Sequence, residues 1–493
     1  MVGAFAGYNT AALGNFNSFF GFGAGQNIQG AATKNIAIGV YALYGNTTAS
    51  NNTAMGYGAL LDNTTGQTNT AMGAYALTNQ TTASNNVAMG YSAGHDVSVG
   101  TQNVFMGSYA GANITSAPSN TAIGYYALQT DTQGRDTVAI GVGALQTQNF
   151  TSSTYSMNVA VGNHSGQLLT TGQYNTFVGA RTAHSHTTGH RNTFLGNHAG
   201  YSSTTASYNT FVGDDAGIYT TTGFNNSYFG AKSGQANTTG DYNVGIGMYT
   251  LTSDTTGNKS TALGYGALYT QNTTSSADMF NTAVGFSAGT AVTTGQYNTL
   301  IGAQAGDAIT TGGSNVAVGY FALSTEDGHG LNVAVGNRAL ANQNAGANAY
   351  NTAVGNDAGY AVTTGIQNTL IGGLAGDALT NSNYNVAVGY SALTSDTLGS
   401  RSIAIGTGTL QNQNFTTATN GQNIAIGYLA GSSVTTGTNN TIIGGALTGD
   451  ALTTGSNNVA IGHNALSTED ATSGLVAIGE SALENANGTD SQS

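Results

Sequence analysis

The chain has 493 residues, of which only 6% are charged, and it contains 74 glycines, one proline, no cysteine and no tryptophan. Eight Lys and Arg against 21 Asp and Glu give a net charge of −13, so the basic surface that nucleic acid requires is missing. No run of about 18 apolar residues predicts membrane insertion, and the first residues, MVGAFAGYNT, lack the pattern of a secretion signal.

One short unit recurs from end to end of the chain. A glycine that follows an apolar residue occurs 28 times, from Gly3 to Gly479, and 20 of the 27 intervals between these glycines are 17 residues long. A fixed short period is typical of stacked repeats, in which each unit buries its neighbour's face. We therefore predict an all-β chain in which residues 1–493 form one domain, an elongated parallel β-solenoid of about 28 coils.

Each unit predicts one coil, made of two short strands and two turns. Strands of four to five residues are expected at segments such as NTAVG and NVAVG, because β-branched residues favour extended backbone. With the recurring glycine numbered 0, position −4 is Asn in 23 of the 27 units that show it. The glycine permits positive φ at a corner, and the Asn either forms an amide ladder between coils or merely tolerates the turn. The predicted corner residues include Gly285, Asn298, Gly302, Asn315 and Gly319.

Two positions of the unit avoid being large together. Position −2 is bulky in ten units, and none of these ten has Leu at position +4; the thirteen units with Leu at +4 all have Ala or Gly at −2. Protein interiors tolerate neither voids nor overlap, so the two positions are predicted to share one packed space. Leu300 is then expected to contact Gly306, and Leu323 to lie beside Ala317.

Four units are longer than the rest. Their extra residues fall near 146–155, 269–279, 342–350 and 411–421. An insertion can leave a stack without breaking it, so we expect these segments to bulge as loops and to carry binding variation. The abundant Ala at positions −2 and +3 indicates close approach of neighbouring chains, since a coil with so little apolar volume would be marginal in isolation.

The core motifs NIAIG (35–39), NTAIG (120–124) and NVAVG (158–162) resemble the head repeats of YadA-like trimeric autotransporter adhesins, and similar repeats occur in bacteriophage tail fibres. The resemblance covers essentially the whole chain. It implies a left-handed parallel β-roll that assembles as a homotrimer. The chain departs from the adhesins because their coil is nearer fourteen residues, and because no coiled-coil stalk, membrane anchor or C-terminal chaperone is visible.

Histidines are concentrated in one region, where five of the eight lie between His164 and His198. On a strand, His184 and His186 would place both rings on one face. In a trimer, six imidazoles could then surround one axis and hold a transition metal. An exposed variant turn is the alternative interpretation.

The acidic residues form few patterns. Asp214 and Asp215 are adjacent, but neighbouring side chains of a strand point to opposite faces, so they do not make a glycosidase pair. Asp307 and Asp377 share position +5, where either calcium binding or a solvated turn could explain them. Only four Glu are present: Glu326, Glu469, Glu480 and Glu484. We therefore predict no catalytic residues, no enzyme activity and no cofactor.

Tyrosine often precedes the corner Asn, as at Tyr174, Tyr208, Tyr242, Tyr297, Tyr350 and Tyr384. A stripe of such rings could stack on sugars or simply cover the corner. The leading functional prediction is a structural and adhesive fibre in a phage tail or related virion appendage, located on the virion or outside the cell. It would bind a host or cell-surface receptor, with a glycan as one candidate. A bacterial surface adhesin or filament and an ice-binding solenoid are the alternatives.

Overall fold

The computed structural model describes residues 1–8, 16–30, 32–273, 275–468 and 470–484. The chain divides into two compact units, residues 1–243 and 244–493, and each is described by itself. Both units are all-β, and no helix occurs in the described residues. The predicted fold class, a parallel β-solenoid with one coil per repeat, is confirmed. The left-handed sense and the single domain over residues 1–493 stay predictions.

The first unit contains thirteen ladder strands and one additional strand pair. In chain order these are β1 (Ser18–Phe20), β2 (Ile36–Ile38), β3 (Thr53–Met55), β4 (Thr70–Met72), β5 (Val87–Met89), β6 (Val104–Met106), β7 (Thr121–Ile123), β8 (Gly134–Arg135), β9 (Val138–Ile140), β10 (Thr154–Tyr155), β11 (Val159–Val161), β12 (Thr176–Val178), β13 (Thr193–Leu195), β14 (Thr210–Val212) and β15 (Ser227–Phe229). β8 and β10 pair with each other. The coil at Gly3 has only an isolated bridge, from Val2 to Phe20.

The second unit contains fourteen ladder strands and one additional strand pair. They are β16 (Val244–Ile246), β17 (Thr261–Leu263), β18 (Thr282–Val284), β19 (Thr299–Ile301), β20 (Val316–Val318), β21 (Val333–Val335), β22 (Thr352–Val354), β23 (Thr369–Ile371), β24 (Val386–Val388), β25 (Gly399–Ser400), β26 (Ile403–Ile405), β27 (Thr419–Asn420), β28 (Ile424–Ile426), β29 (Thr441–Ile443), β30 (Val459–Ile461) and β31 (Val476–Ile478). β25 and β27 form the additional pair.

Every ladder strand has three residues, and within each unit successive ladder strands pair in parallel through equivalent residues, as Thr299–Ile301 does with Val316–Val318. The middle residue is buried and the flanking residues face outward. The prediction of two strands of four to five residues per coil is therefore wrong. Three further positions have left-handed backbone, at Tyr297 (φ 61°), Gln304 (φ 55°) and Gly306 (φ 57°) in the coil of Gly302. Such residues interrupt an extended segment, so the rest of the coil consists of turns.

The turns still stack through hydrogen bonds between coils. Thr293 N–H donates to the Thr310 carbonyl at 2.8 Å, and its hydroxyl donates to the same oxygen at 3.1 Å. The same hydroxyl bond recurs along position +8, for example from Thr170 to Thr187 and from Thr187 to Thr204. These threonine hydroxyls are used within the stack, which leaves them poorly suited to order water on an ice surface.

The corner glycines allow successive coils to approach each other. Gly285, Gly302 and Gly319 have φ of 141°, 136° and 139°, in a region that residues with a Cβ rarely adopt. A Cβ on Gly302 would also collide with the carbonyl oxygen of Gly319 in the next coil. Both the backbone conformation and the contact between coils therefore require glycine.

The corner asparagines form the predicted ladder between coils. Asn298 Oδ1 accepts the N–H of Asn315 at 3.0 Å, and Asn298 Nδ2 donates to the Gly312 carbonyl at 3.0 Å. The acceptor and the donor of the side-chain amide thus both bond to the following coil. The N–H of Asn298 in turn donates to Oδ1 of Asn281 at 2.9 Å. Each amide is fully buried, so its hydrogen bonds offset a desolvation cost.

Positions −2 and +4 share the interior, as the sequence predicts. A Cβ on Gly306 would lie 2.7 Å from Leu300 Cδ2, and one on Gly289, in the preceding coil, would lie 2.6 Å from Leu300 Cδ1. A bulky residue at −2 therefore lies between the +4 position of its own coil and the +4 position of the preceding coil. Ala317 and Leu323 are both fully buried. Alanines at −2 and +3 lie in this core, so the expectation that they contact neighbouring chains is wrong.

We predict that Ala317→Phe overpacks the coil and lowers the free energy of unfolding by about 1–3 kcal/mol, because Leu323 fills the space that the ring requires. Adding Leu323→Gly recreates the surroundings of Phe105, which packs against Gly94 and Gly111. The double variant should therefore recover stability in urea unfolding. Equal stability of Ala317→Phe and the unmodified chain would contradict the shared space.

Candidate functional site

His184 and His186 do not share a strand face. Residues 181–185 form a turn, and the His186 ring lies in the core, 5.4 Å from the Phe177 ring centroid. Its Nδ1 is 2.9 Å from Ser203 Oγ, and its Nε2 is 3.3 Å from Asn192 Nδ2. Burial lowers the pKa of His186 to about 4, so the ring is neutral at pH 7. The predicted metal site at these two residues is wrong because position +7, which His186 occupies, points inward.

His184 has a different environment from His186. Its ring stacks on that of Tyr201, with the centroids 5.0 Å apart. Partial burial, followed by the nearby His164 and Arg181, lowers the pKa of His184. The ring is therefore a surface packing partner of Tyr201.

The four aspartates singled out from the sequence each have a different polar side-chain partner. Asp214 accepts a hydrogen bond from Asn197 Nδ2 at 3.1 Å, whereas Asp215 lies 3.4 Å from His198 Nδ1. Asp307 is 3.4 Å from Gln304 Nε2, and Asp377 accepts a bond from the Thr394 hydroxyl. Burial raises the pKa of Asp307 and of Asp377. Among the described residues, neither Asp307 nor Asp377 belongs to a group of three or more potential metal ligands.

Position +7 carries a buried carboxylate in the coil before each of the four longer coils. In each case a carboxylate in one coil faces a glutamine in the next, longer coil, and we call each set of four buried residues a carboxylate–glutamine network. The four networks comprise Asp131, Thr137, Gln148 and Asn158; Asp254, Ser260, Gln271 and Asn281; Glu326, Asn332, Gln343 and Asn351; and Asp396, Ser402, Gln413 and Asn423.

The first network shows how the longer coil is anchored. Asp131 Oδ1 accepts the N–H groups of Gly134 at 3.0 Å and Phe150 at 3.1 Å. Asp131 Oδ2 accepts Gln148 Nε2 at 2.6 Å, and Gln148 Oε1 accepts Asn158 Nδ2 at 2.9 Å. The carboxylate thus satisfies backbone donors that the longer coil would otherwise leave unpaired.

The network at Asp396 repeats this arrangement. Gln413 Nε2 lies 2.6 Å from Asp396 Oδ2, and the N–H of Phe415 lies 3.1 Å from Asp396 Oδ1. Beyond the buried Phe150 and Phe415 come three exposed residues each, at 151–153 and 416–418. Residues 346–348 of a third longer coil are also exposed. The predicted loops are therefore short tips on coils whose bases are held in the stack.

Position −4 of the repeat carries a sequence signal for these networks. Position −4 departs from Asn at Thr137, Ser260 and Ser402, and each departure falls in a unit of 21 residues. In the structure the glutamine bonds to this smaller side chain, as Gln271 Nε2 does to Ser260 Oγ at 2.9 Å. The substitution makes room for the glutamine amide.

Exposed and partly exposed aromatic rings form a row on the surface of the first unit. They occupy position +1 or +2 in eight successive coils, with Tyr8 and Tyr44 added at position +5, and neighbouring rings lie 3.9–6.3 Å apart. This aromatic stripe comprises Phe5, Tyr8, Phe22, Tyr41, Tyr44, Tyr57, Tyr75, Tyr91, Tyr109, Tyr125 and Tyr126. A cavity of about 430 Å³ opens beside Tyr41, Tyr44 and Tyr57.

The tyrosines before the corner Asn are also exposed, by 44% at Tyr174 and 51% at Tyr208. Arg191 lies between these two rings, 5.5 Å from each centroid, and donates to the Tyr208 hydroxyl at 2.7 Å. The three residues line a cavity of about 310 Å³. About half of each side chain is exposed, so stacking on sugars and coverage of the corner both stay predictions.

No protein-family model and no curated protein matches the chain. In the part of the chain that the structure describes, no helix is long and apolar enough to span a bilayer.

The networks predict a pH dependence of stability. Burial raises the pKa of Asp131, Asp254 and Asp396, although their hydrogen-bond donors lower it in part. The folded chain then binds more protons than the unfolded chain, so this contribution is present at low pH and lost as pH rises through the folded pKa. We expect the melting temperature to fall between about pH 4 and pH 7.

The triple variant Asp131→Asn, Asp254→Asn, Asp396→Asn should show a smaller fall in melting temperature over the same range. The matched control is Asp62→Asn, at an exposed position. Identical pH slopes for the triple variant and the unmodified chain would show that these carboxyls do not govern the effect.

Proposed function

We propose that the chain is a non-catalytic structural and adhesive fibre segment of a phage tail or related virion appendage, assembled as a parallel homotrimer. The observation that carries this proposal is the outward face of the ladder strands. Position −1 is apolar in every unit, and its side chains are substantially exposed, as at Ile38 (40%), Leu195 (45%) and Ile301 (39%). We call this row the outward apolar face.

Burial of the outward apolar face would stabilise an assembly. Moving a half-exposed aliphatic side chain out of water contributes about 1 kcal/mol, and each coil supplies at least one. Because most coils have the same length, the side chains at position −1 form a regular row. The same row on a second copy of the chain, in register, can pack against it in each coil. A large exposed apolar surface on a repeat protein is typical of an interaction face. The fibre proposal therefore rests on self-association of this face.

The adhesive part of the proposal is supported by exposed groups outside that face. The tips at 151–153, 346–348 and 416–418 stand on anchored coils, and the aromatic stripe offers apolar ring surfaces to a ligand such as a glycan. The buried carboxylates hold backbone donors rather than line a cleft, which supports a role without catalysis.

We expect sedimentation velocity to show a trimer for the unmodified chain. Ile301→Lys with Val318→Lys should shift it towards monomer, because two charges per chain would have to be desolvated in the interface. Thr294→Lys, at an exposed turn of the neighbouring coil, should leave the trimer intact. A stable monomer at micromolar concentration without any substitution would refute the assembly.

The trimer with Gly-Ser sequences in place of residues 151–153, 346–348 and 416–418 should keep its sedimentation coefficient. Its fluorescently labelled form should attach less to whole cells from a panel of bacterial strains than the unmodified trimer does. If attachment is unchanged on every strain that binds the unmodified trimer, recognition does not reside in these tips.

A further inference from the structure

The carboxylate–glutamine network at Glu326 differs from the other three. In the networks at Asp131 and Asp396, the second carboxylate oxygen accepts the glutamine amide at 2.6 Å. In this network, Glu326 Oε2 and Gln343 Nε2 are both buried and find no hydrogen-bond partner among the described residues. One buried carboxylate oxygen is therefore left without the donor that its counterparts have.

The residue three positions after the carboxylate also differs. The other networks have Gly134, Gly257 and Gly399 there, whereas this network has His329. His329 keeps the backbone role, since its N–H donates to Glu326 Oε1 at 3.2 Å. It adds an imidazole whose Nδ1 lies 3.8 Å from the same oxygen, is buried, and has no hydrogen-bond partner in the described part of the chain.

Asp327 completes a group of three potential metal ligands. One carboxylate oxygen each from Glu326 and Asp327 and one ring nitrogen of His329 lie within 4.8 Å of one another. Two ligands of one ion lie no further apart than twice the bond length, which is about 4.2 Å for zinc and about 4.8 Å for a larger cation. The three atoms are thus spaced to share one ion with small side-chain adjustments. We propose that Glu326, Asp327 and His329 bind one divalent transition-metal ion of the zinc type.

The charges and burial favour such an ion. Glu326 is fully buried, and the structure gives it no lysine or arginine partner among the described residues. A buried carboxylate without a cation is costly, and a divalent ion would neutralise both Glu326 and Asp327.

The ligand set selects the class of metal. Imidazole nitrogen with carboxylate oxygen suits zinc, nickel or copper, whereas magnesium and calcium prefer oxygen alone. Asp327 is exposed and His329 partly exposed, so the ion would enter from solvent and complete its coordination with water. The site would tie position +7 of one coil to the base of the next, longer coil, because the Ala345 N–H also bonds to Glu326.

A second copy of the segment provides a natural contrast. ALSTED occurs at 322–327 and again at 465–470, but Thr472 stands where the first copy has His329. Glu469 of that copy lies outside the described residues. Because the imidazole is missing there, we expect one strong zinc site per chain rather than two.

The test uses the full chain without a histidine tag, stripped of metal with EDTA and titrated with zinc chloride at pH 7.5 by isothermal calorimetry. We expect one ion per chain, and at least a tenfold weaker affinity in His329→Gln and in Asp327→Asn. His463→Gln, which removes a histidine elsewhere in the same unit, should bind zinc as the unmodified chain does. Zinc should also raise the melting temperature of the unmodified chain and of His463→Gln, but not that of His329→Gln.

Asp327→Asn changes an exposed side chain, so it keeps the test decisive if substitutions at the buried Glu326 prevent folding. The proposal would be overturned if the unmodified chain does not bind zinc at about 100 µM, which is on the order of the dissociation constant of a weak surface site. Equal binding by His329→Gln, Asp327→Asn and the unmodified chain would also overturn it, since the ion would then lie elsewhere.

Discussion

Close stacking of coils at the corner glycine is the constraint on which the rest of each unit depends. Gly302 combines a φ of 136° with direct backbone contact to Gly319, so no side chain fits between successive coils. This approach sets the register at which strand pairs with strand and at which Asn298 reaches Asn315. Each coil returns to the same corner, so extra residues lengthen a turn and leave the contact unchanged, as between Gly141 and Gly162, which are 21 residues apart.

A coil this small has room for few side chains, and that limit explains its pattern of substitutions. Leu300 fills the space above Gly289 and Gly306, whereas units with Leu at +4 keep Ala or Gly at −2. Position +7 shares the same interior, so it is apolar at Val292 and Ile309 but polar at Asp396 and Gln413. The polar cases are tolerated because their hydrogen bonds are completed within the stack.

The repeating corner could be predicted from sequence because its requirements are strict. Only glycine suits the φ of Gly302, and the amide of Asn298 must reach both a donor and an acceptor of the next coil. The second strand was predicted wrongly because left-handed backbone at positions such as Leu323 (φ 53°) leaves no signal when Leu occupies it. The inward direction of His186 was equally hidden, since position +7 varies in residue type from coil to coil.

The positions of the networks at the longer coils could be predicted from the sequence, but their hydrogen bonds could not. Thr137 and Ser402 mark two of them by departing from Asn, but a replaced side chain does not reveal which donor it receives. The unmatched pair Glu326 and Gln343 appears only when its hydrogen bonds are compared with those of Asp396 and Gln413. Local contacts that differ between similar repeats thus require coordinates.

The most direct test of the stacked corner is the change in free energy of unfolding caused by Gly302→Ala, measured against Gly346→Ala, whose added Cβ would meet open space. The account predicts that Gly302→Ala lowers the free energy of unfolding by about 1–3 kcal/mol or more, because both the φ of residue 302 and the contact with Gly319 disfavour a methyl group. The control should change stability by less than about 0.5 kcal/mol. Equal stability of the two variants would contradict close stacking at the corner glycine.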